Sequence, residues 1–158
     1  LFLKGGIQAV SAMWYNEYHS ILNSGLNADE LTTFHFRDHG IAFPEDGIYS
    51  LRETYQANPD ICRRFAQASL KGWRHAFAHK EQALDIIMKY SDEANVNTNR
   101  THQRWMLARM EDLIAPGGDY RRFGRLSSED YLNVCQAMVD FGLIDHFPTY
   151  SEFCVDTQ

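Results

Sequence analysis

Cysteine is scarce in this sequence, and its few cysteines do not cluster. Cys62, Cys135 and Cys154 are the three in 158 residues, and their wide spacing matches neither a disulfide framework nor the paired cysteines of a zinc site. We expect two of them to be small buried apolar residues, with a Cys135–Cys154 disulfide as the alternative. The hydrophobic fraction of 44% is enough to form an ordinary core.

The sequence also lacks long apolar runs and blocks of like charge. No stretch approaches the roughly 18 apolar residues that a membrane span needs, so we expect no direct membrane insertion by this segment. The chain has 15 basic and 21 acidic residues, with no run of like charges. It therefore lacks the basic cluster that is typical of nucleic-acid-binding proteins. This balance favours a small molecule or another soluble partner.

Catalytic and metal-binding motifs that spacing alone would identify are missing too. There is no GxSxG elbow, no GxxxxGK[ST] phosphate loop and no GxGxxG fingerprint. His75 and His79 are four residues apart on a predicted helix, but they lack a third ligand at a known spacing, and the HExxH pattern is absent. His35 and His39 lie in a polar turn. We predict no metal site and no catalytic residue.

Short apolar segments predict a few strands in the first third of the chain. Ala9–Met13 follows a glycine pair and is partly β-branched, Leu31–Phe36 has strand composition, and Gly47–Leu51 is entered through turn residues. Periodicity alone leaves a helix open for the first of these. We expect the three strands to form one sheet, covered by a helix that starts at Pro59.

The rest of the chain has the spacing of helices. Pro59 follows a capping asparagine and precedes an aspartate, which is a strong helix start. Ser127 and Asp130 resemble a capping box before an apolar stripe that ends at Gly142. The sequence predicts an α/β, helix-rich fold, with further helices at 15–23, from about Lys80, and at 99–114.

The segment Trp14-Tyr15-Asn16-Glu17-Tyr18 has the composition of a ligand site. It stands where a strand is expected to turn into a helix. A flat heteroaromatic ligand could stack on Tyr15 or Trp14, Glu17 could accept from an exocyclic amine, and Asn16 could donate and accept. The alternative is a core helix in which Trp14 and Tyr18 pack inward and Glu17 lies in solvent.

A series of short motifs runs along the chain. In chain order, the motifs are Ala12 to Tyr18, Asp38-His39-Gly40, Pro44 to Tyr49, Asn58-Pro59-Asp60, Arg64-Phe65, Ala68-Ser69, Gly72-Trp73-Arg74 and His102 to Met106. They look like successive motifs of the thiamine-pyrimidine-precursor-binding family of ABC transporter solute receptors. The motifs from Asn58 to Trp73 are shared with taurine-, nitrate- and riboflavin-type relatives, whereas the resemblance of Tyr15-Asn16-Glu17 is more specific to the pyrimidine group.

The resemblance implies the fold of a type II periplasmic binding protein, in which two α/β lobes joined by a hinge close on a small ligand. A complete receptor of this kind is longer, so the chain is expected to be its C-terminal half. Residues 1–13 would form the end of the second lobe and the hinge strand. Residues 14–158 would form the C-terminal portion of the first lobe.

The resemblance also implies a function and a site. The protein is expected to bind a thiamine pyrimidine precursor or a similar small nitrogenous heteroaromatic solute for an ABC importer, with a transporter permease as partner and no cofactor. The expected location is periplasmic or extracellular, with a membrane anchor. Ligand-binding residues would be Trp14 to Tyr18 together with Asp38, Glu45 and Asp46.

Two other functions stay open at this point. One is a ligand-sensing domain of a larger signalling protein, which flanking sequence would distinguish from a transport receptor. The other is an enzyme related to the pyrimidine synthases that share this fold, but their clustered-cysteine motif is absent here. We therefore expect no enzymatic activity.

Overall fold

A computed structural model describes residues 1–44 and 46–155. The chain divides into two compact units, each made of two separate stretches of sequence. The first unit comprises Leu1–Thr33 and Gly72–Phe123, and the second comprises Phe34–Lys71 and Gly124–Gln158. Each unit has its own buried residues.

Helices dominate the described part of the chain, which confirms the helix-rich prediction. The described residues also contain four short 3-10 turns, at Phe2–Lys4, Ala28–Glu30, Phe36–His39 and Pro116–Gly118. None of the helices in residues 1–44 and 46–155 combines the length and apolar character that a bilayer crossing requires. The helices are α1 (Glu17–Asn23), α2 (Arg52–Ala57), α3 (Pro59–Ala78), α4 (Lys80–Glu93), α5 (Arg100–Ile114), α6 (Ser128–Asp140) and α7 (Tyr150–Phe153).

The helix boundaries follow the local sequence. Pro59 is the first residue of α3, as predicted. The Asn99 side chain accepts a hydrogen bond from the backbone N–H of His102 at the start of α5. The Ser127 hydroxyl accepts one from the Asp130 N–H at the start of α6, and Gly142 follows that helix with a φ of 67°. Side-chain caps of this kind satisfy N–H groups that have no partner inside the helix.

Removing the α6 cap should have a measurable cost. Ser127→Ala is expected to lower the free energy of unfolding by about 1 kcal/mol, because the Asp130 N–H loses its acceptor. The neighbouring exposed Ser128 supplies the matched control, since it makes no cap bond. Urea denaturation of the two variants measures the difference. An equal loss for Ser127→Ala and Ser128→Ala would contradict the stabilising role of the cap.

The predicted strands are wrong, and with them the predicted sheet. No strand occurs in the described residues, and Ala9–Met13, Leu31–Phe36 and Gly47–Leu51 lie in irregular backbone or, at the end of the second, in a 3-10 turn. A strand is stable only when a neighbouring strand pairs with its backbone. Apolar residues in these segments remain exposed instead, including Tyr49 at 70% and Leu51 at 72%. Strand-like composition shows which residue types are present, but it does not show whether another strand pairs with them.

The core of the first unit forms where α4 and α5 pack together. Leu84 of α4 is completely buried and Leu107 of α5 is 5% exposed. On the surface of the same pair, the Glu81 carboxylate accepts hydrogen bonds from Arg100 and Arg104, which lower its pKa in that order. These ion pairs are exposed and so contribute little to stability. The apolar contacts therefore provide most of the packing energy.

The second unit is centred on Tyr131 of α6. Its ring contacts Phe147, Tyr150 and Phe153, and its hydroxyl donates to the Pro148 carbonyl at 2.6 Å. Burial, followed by a hydrogen bond with Cys135, raises the pKa of the Tyr131 hydroxyl to about 12. Aromatic contacts therefore organise this C-terminal region.

The cysteines are all free. Cys135 is buried, as a small apolar residue would be, while Cys62 and Cys154 are half-buried. The alternative of a Cys135–Cys154 disulfide is therefore not realised. Cys135 instead lies beside Tyr131 in the core of the second unit.

Candidate functional site

The candidate ligand segment Trp14–Tyr18 forms a tight turn that leads into α1. The backbone N–H of Asn16 donates to the Met13 carbonyl at 3.1 Å, and the Met13 N–H donates to Oε2 of Glu17 at 3.0 Å. Glu17 is the first residue of α1. The change from non-helical to helical backbone is therefore close to where the sequence places it, although no strand precedes it.

Two aromatic side chains of the segment pack against α5. The Trp14 ring lies 5.0 Å from that of Tyr18 and 5.9 Å from that of Trp105, and the Trp105 indole N–H donates to the Trp14 carbonyl at 3.2 Å. The Arg109 guanidinium lies 4.8 Å from the Trp105 ring centre and 5.8 Å from that of Trp14. In this respect the structure agrees with the alternative in which Trp14 and Tyr18 pack inward. Their role is to fix the segment on α5.

Tyr15 and Glu17 of the segment differ in exposure. Tyr15 is half-buried, and its hydroxyl donates to the Met13 sulfur at 2.9 Å. Glu17 is exposed. One of its carboxylate oxygens accepts from the Met13 N–H, which leaves Oε1 for other donors. An aromatic ring and a carboxylate thus lie on the same turn.

A buried histidine lies directly behind this turn. His19 of α1 is 8% exposed, and its ring stacks on Trp105 with centres 4.7 Å apart and an interplanar angle of 13°. Its Nδ1 lies 2.9 Å from Nδ1 of His102 and 3.1 Å from Nδ2 of Asn23. Burial lowers the pKa of His19, and the charge of His102 lowers it further. The pair connects α1 to α5.

His102 also contacts the ligand segment itself. Its Nε2 lies 2.9 Å from Oδ1 of Asn16. Asn16 and His102 line an open depression of about 420 Å³. Every lining side chain is polar and none carries a formal charge when His102 is neutral. The remaining lining residues are Ser20, Asn23, Ser24, Asn97, Thr98 and Asn99.

The acidic residues predicted for the site belong to the second unit. Asp38 is exposed in the 3-10 turn Phe36–His39 and forms an ion pair with Arg37 at 3.4 Å. Asp46 is exposed in irregular backbone. Glu45 lies outside the described residues. Their participation in one site with Trp14–Tyr18 stays a prediction.

The histidine pair rejected as a metal site does lie close together. The rings of His75 and His79 have centres 4.5 Å apart, and Nε2 of His75 lies 3.2 Å from Oε1 of Gln82. Across residues 1–44 and 46–155 no group of three or more metal-ligating side chains is found. Glu81 binds the arginines of α5. That this pair holds no metal stays a prediction.

Sequence reasoning missed the residues of α5 that support the segment. His102, Trp105 and Arg109 are spaced by three and four residues, so they share one face of α5. His102 and Trp105 lie in one of the motifs that carry the family resemblance, which could have drawn attention to them. His19 gave no comparable indication, because a single histidine on a short helix is ordinary.

Comparison with known proteins gives one match. A family model described as NMT1/THI5 like matches residues 1–83 of the chain. A search of curated proteins and a search of solved structures each returned no match. All the predicted site residues, from Trp14 to Asp46, lie in the matched range, whereas α5 lies outside it.

Proposed function

The chain belongs to the NMT1/THI5-like family, and on that premise we propose that it is the solute-binding component of an ABC importer. Members of the family are mostly binding proteins, and membership supports a solute-binding role in general, outside the cell or in the periplasm. We further propose that the solute is a thiamine pyrimidine precursor or a similar small nitrogenous heteroaromatic. The protein acts as a binder and catalyses no reaction.

The observation that carries this proposal is the organisation of Trp14–Tyr18. The segment lies in the range that matches the family, and Trp14 and Tyr18 are fixed against Trp105. The half-buried Tyr15 and the exposed Glu17 lie on the same turn. A binding site needs side chains that are held in place before the ligand arrives, because ordering them afterwards reduces affinity.

The chemistry of these side chains fits an aminopyrimidine. The flat ring of such a ligand can stack on Tyr15, and its exocyclic amine can donate to Oε1 of Glu17. Asn16 is already bonded to His102 through Oδ1, so its Nδ2 is the group left to donate to a ring nitrogen. Together these contacts would recognise both the flat shape of the ligand and the positions of its hydrogen-bonding groups.

The wider architecture belongs to the same proposal. Residues 1–13 would end a second lobe and form the hinge, and residues 14–158 would belong to the first lobe of a type II periplasmic binding protein. Asp38, Glu45 and Asp46 would contribute further polar contacts to the ligand. A membrane anchor and a transporter permease would complete the system.

Substitutions at Glu17 and Tyr15 test the proposal. Glu17→Gln is expected to weaken binding of 4-amino-2-methylpyrimidine by roughly tenfold to hundredfold, since a charge-assisted hydrogen bond is worth about 1.5–3 kcal/mol. Tyr15→Ala should have a similar effect through lost stacking area. Titration calorimetry on the protein expressed from its full reading frame measures both.

Glu129→Gln is the matched control for Glu17→Gln. Glu129 is also an exposed glutamate in the first turn of a helix, but it lies on α6 in the second unit. It should leave the affinity unchanged. Equal affinities for the wild type, Glu17→Gln and Tyr15→Ala would overturn the assignment of Trp14–Tyr18 as a ligand site.

A further inference from the structure

The contact between His19 and His102 is a hydrogen bond between ring edges. Their Nδ1 atoms are 2.9 Å apart, their ring centres are 5.2 Å apart and their planes differ by 25°. This separation of the centres is what an in-plane nitrogen-to-nitrogen contact gives, so the rings meet edge to edge and not face to face. Such a contact requires one proton between the two nitrogens.

The neighbouring amides define how many protons the pair can carry. Nε2 of His102 faces an amide oxygen of Asn16 and therefore carries a hydrogen. One proton between the two Nδ1 atoms completes the ring contact, and it belongs to His102 when Nδ1 of His19 also accepts from Nδ2 of Asn23 at 3.1 Å. The assembled pair therefore carries at most a single positive charge. If both rings were imidazolium, two N–H groups would point at each other. The contact excludes that doubly protonated state.

In the described part of the chain, neither ring contacts a carboxylate that could offset a second proton. From α1, Glu17 is bonded to the Met13 N–H, and from α5 Arg109 contributes a cation above the Trp105 ring on which His19 stacks. The segment 97–99 presents only neutral side chains to the depression. This setting agrees with the lowered pKa of His19.

The pair lies between α5 and the ligand segment. His102 contacts the Asn16 side chain, and its backbone N–H is bound by Asn99 at the start of α5. Moving the His102 ring away from His19 would therefore disturb Asn16. A shift of Asn16 would also shift Tyr15 and Glu17, because Asn16 lies between them in the sequence.

We propose that His102, paired with His19, is a positioning residue for the ligand segment, and that solute binding is linked to the protonation of this pair. A second proton separates the rings and releases Asn16, so affinity falls as the pH falls. This inference rests on the proposed function for its effect on binding. The protonation switch itself is a property of the protein without ligand.

The direction of the pH effect follows from linkage. In the assembled pair, His19 takes up a proton less readily than a free histidine, whose pKa is near 6.5, because burial and then the charge of His102 lower its pKa. The contribution of the pair is therefore complete above that pH, and it is lost as the pH falls through the lowered value. For one linked proton, the affinity falls by up to about tenfold per pH unit below the transition.

The His102→Gln variant separates this effect from protonation of the ligand. Glutamine places an amide N–H near the position of Nε2, so it can still donate to Asn16, but it does not titrate. Calorimetry with 4-amino-2-methylpyrimidine at about pH 7.5 and about pH 5.5 gives the pH dependence of the affinity for each protein. Because the transition lies below pH 6.5, the wild type should lose more affinity than His102→Gln between the two pH values, by a factor of up to about ten.

A measurement without ligand distinguishes failure of this inference from failure of the proposed function. Nuclear magnetic resonance follows the Asn16 side-chain amide and the His19 ring in the free protein as the pH is lowered. We expect a transition of the Asn16 amide in the wild type that His102→Gln abolishes. Its absence, or equal pH slopes of affinity in the two proteins, would overturn the inference. A normal transition without any aminopyrimidine binding would overturn the proposed function alone.

Discussion

Replacing Trp105 by alanine is expected to lower the free energy of unfolding by about 3 kcal/mol and to weaken solute binding. The Trp105 ring contacts Trp14, Tyr18 and His19, and its indole N–H donates to the Trp14 carbonyl. We expect a loss at the low end of the range for replacing a buried aromatic residue by alanine, because the Trp105 side chain is only half-buried. Thermal or urea denaturation measures stability, and calorimetry with 4-amino-2-methylpyrimidine measures binding.

Two variants show which part of Trp105 matters. Trp105→Phe keeps an aromatic ring but loses the indole donor, so it should cost about 1 kcal/mol of stability. Trp73→Ala removes a more exposed tryptophan of α3, which contacts Phe77 and not the ligand segment. It should leave binding intact. If folded Trp105→Ala binds the solute as tightly as the wild type, then α5 does not position Trp14–Tyr18.

Phe123→Ala is expected to be the most destabilising single substitution proposed, with a loss of about 3–5 kcal/mol. Phe123 is 1% exposed, which makes it one of the two largest side chains buried this completely. Its ring meets that of Tyr120 edge-on, and the Arg74 guanidinium lies 5.5 Å above it. Alanine would leave a cavity in the first unit that these neighbours cannot fill.

The same substitution at an exposed phenylalanine provides the control. Phe141 is 80% exposed just after α6, so Phe141→Ala should change the free energy of unfolding by less than about 0.5 kcal/mol. Urea denaturation of both variants measures the difference. A loss at Phe123 as small as that at Phe141 would show that this region does not form a packed core.

Helix positions could be predicted because their causes are local. Pro59 and the Ser127 cap act within a few residues of themselves, so a single stretch of sequence contains both the cause and the effect. The short helix α7 shows the same chemistry, since Thr149 and Glu152 form a capping box. It was not predicted because no apolar stripe of useful length surrounds it.

The predicted strands failed because pairing is not local. Ala9–Met13 and Gly47–Leu51 have apolar and β-branched residues, but nothing in a strand's own sequence identifies a partner. Val10 and Leu51 consequently remain exposed in the described chain. Residue composition alone could not distinguish an extended exposed segment from a buried strand.

In the candidate site, too, the local arrangement could be predicted from the sequence, and the long-range contacts could not. By itself the sequence determined that Tyr15, Asn16 and Glu17 stand together at a helix start, and it carried the family resemblance of that segment. Only the tertiary structure decided that His102 meets His19 and Asn16, because those partners are separated by 83 and 86 residues. Whether two ring edges form a hydrogen bond depends on differences of a few tenths of an ångström in the distance between them. Helix packing sets such distances, and residue spacing along one chain does not.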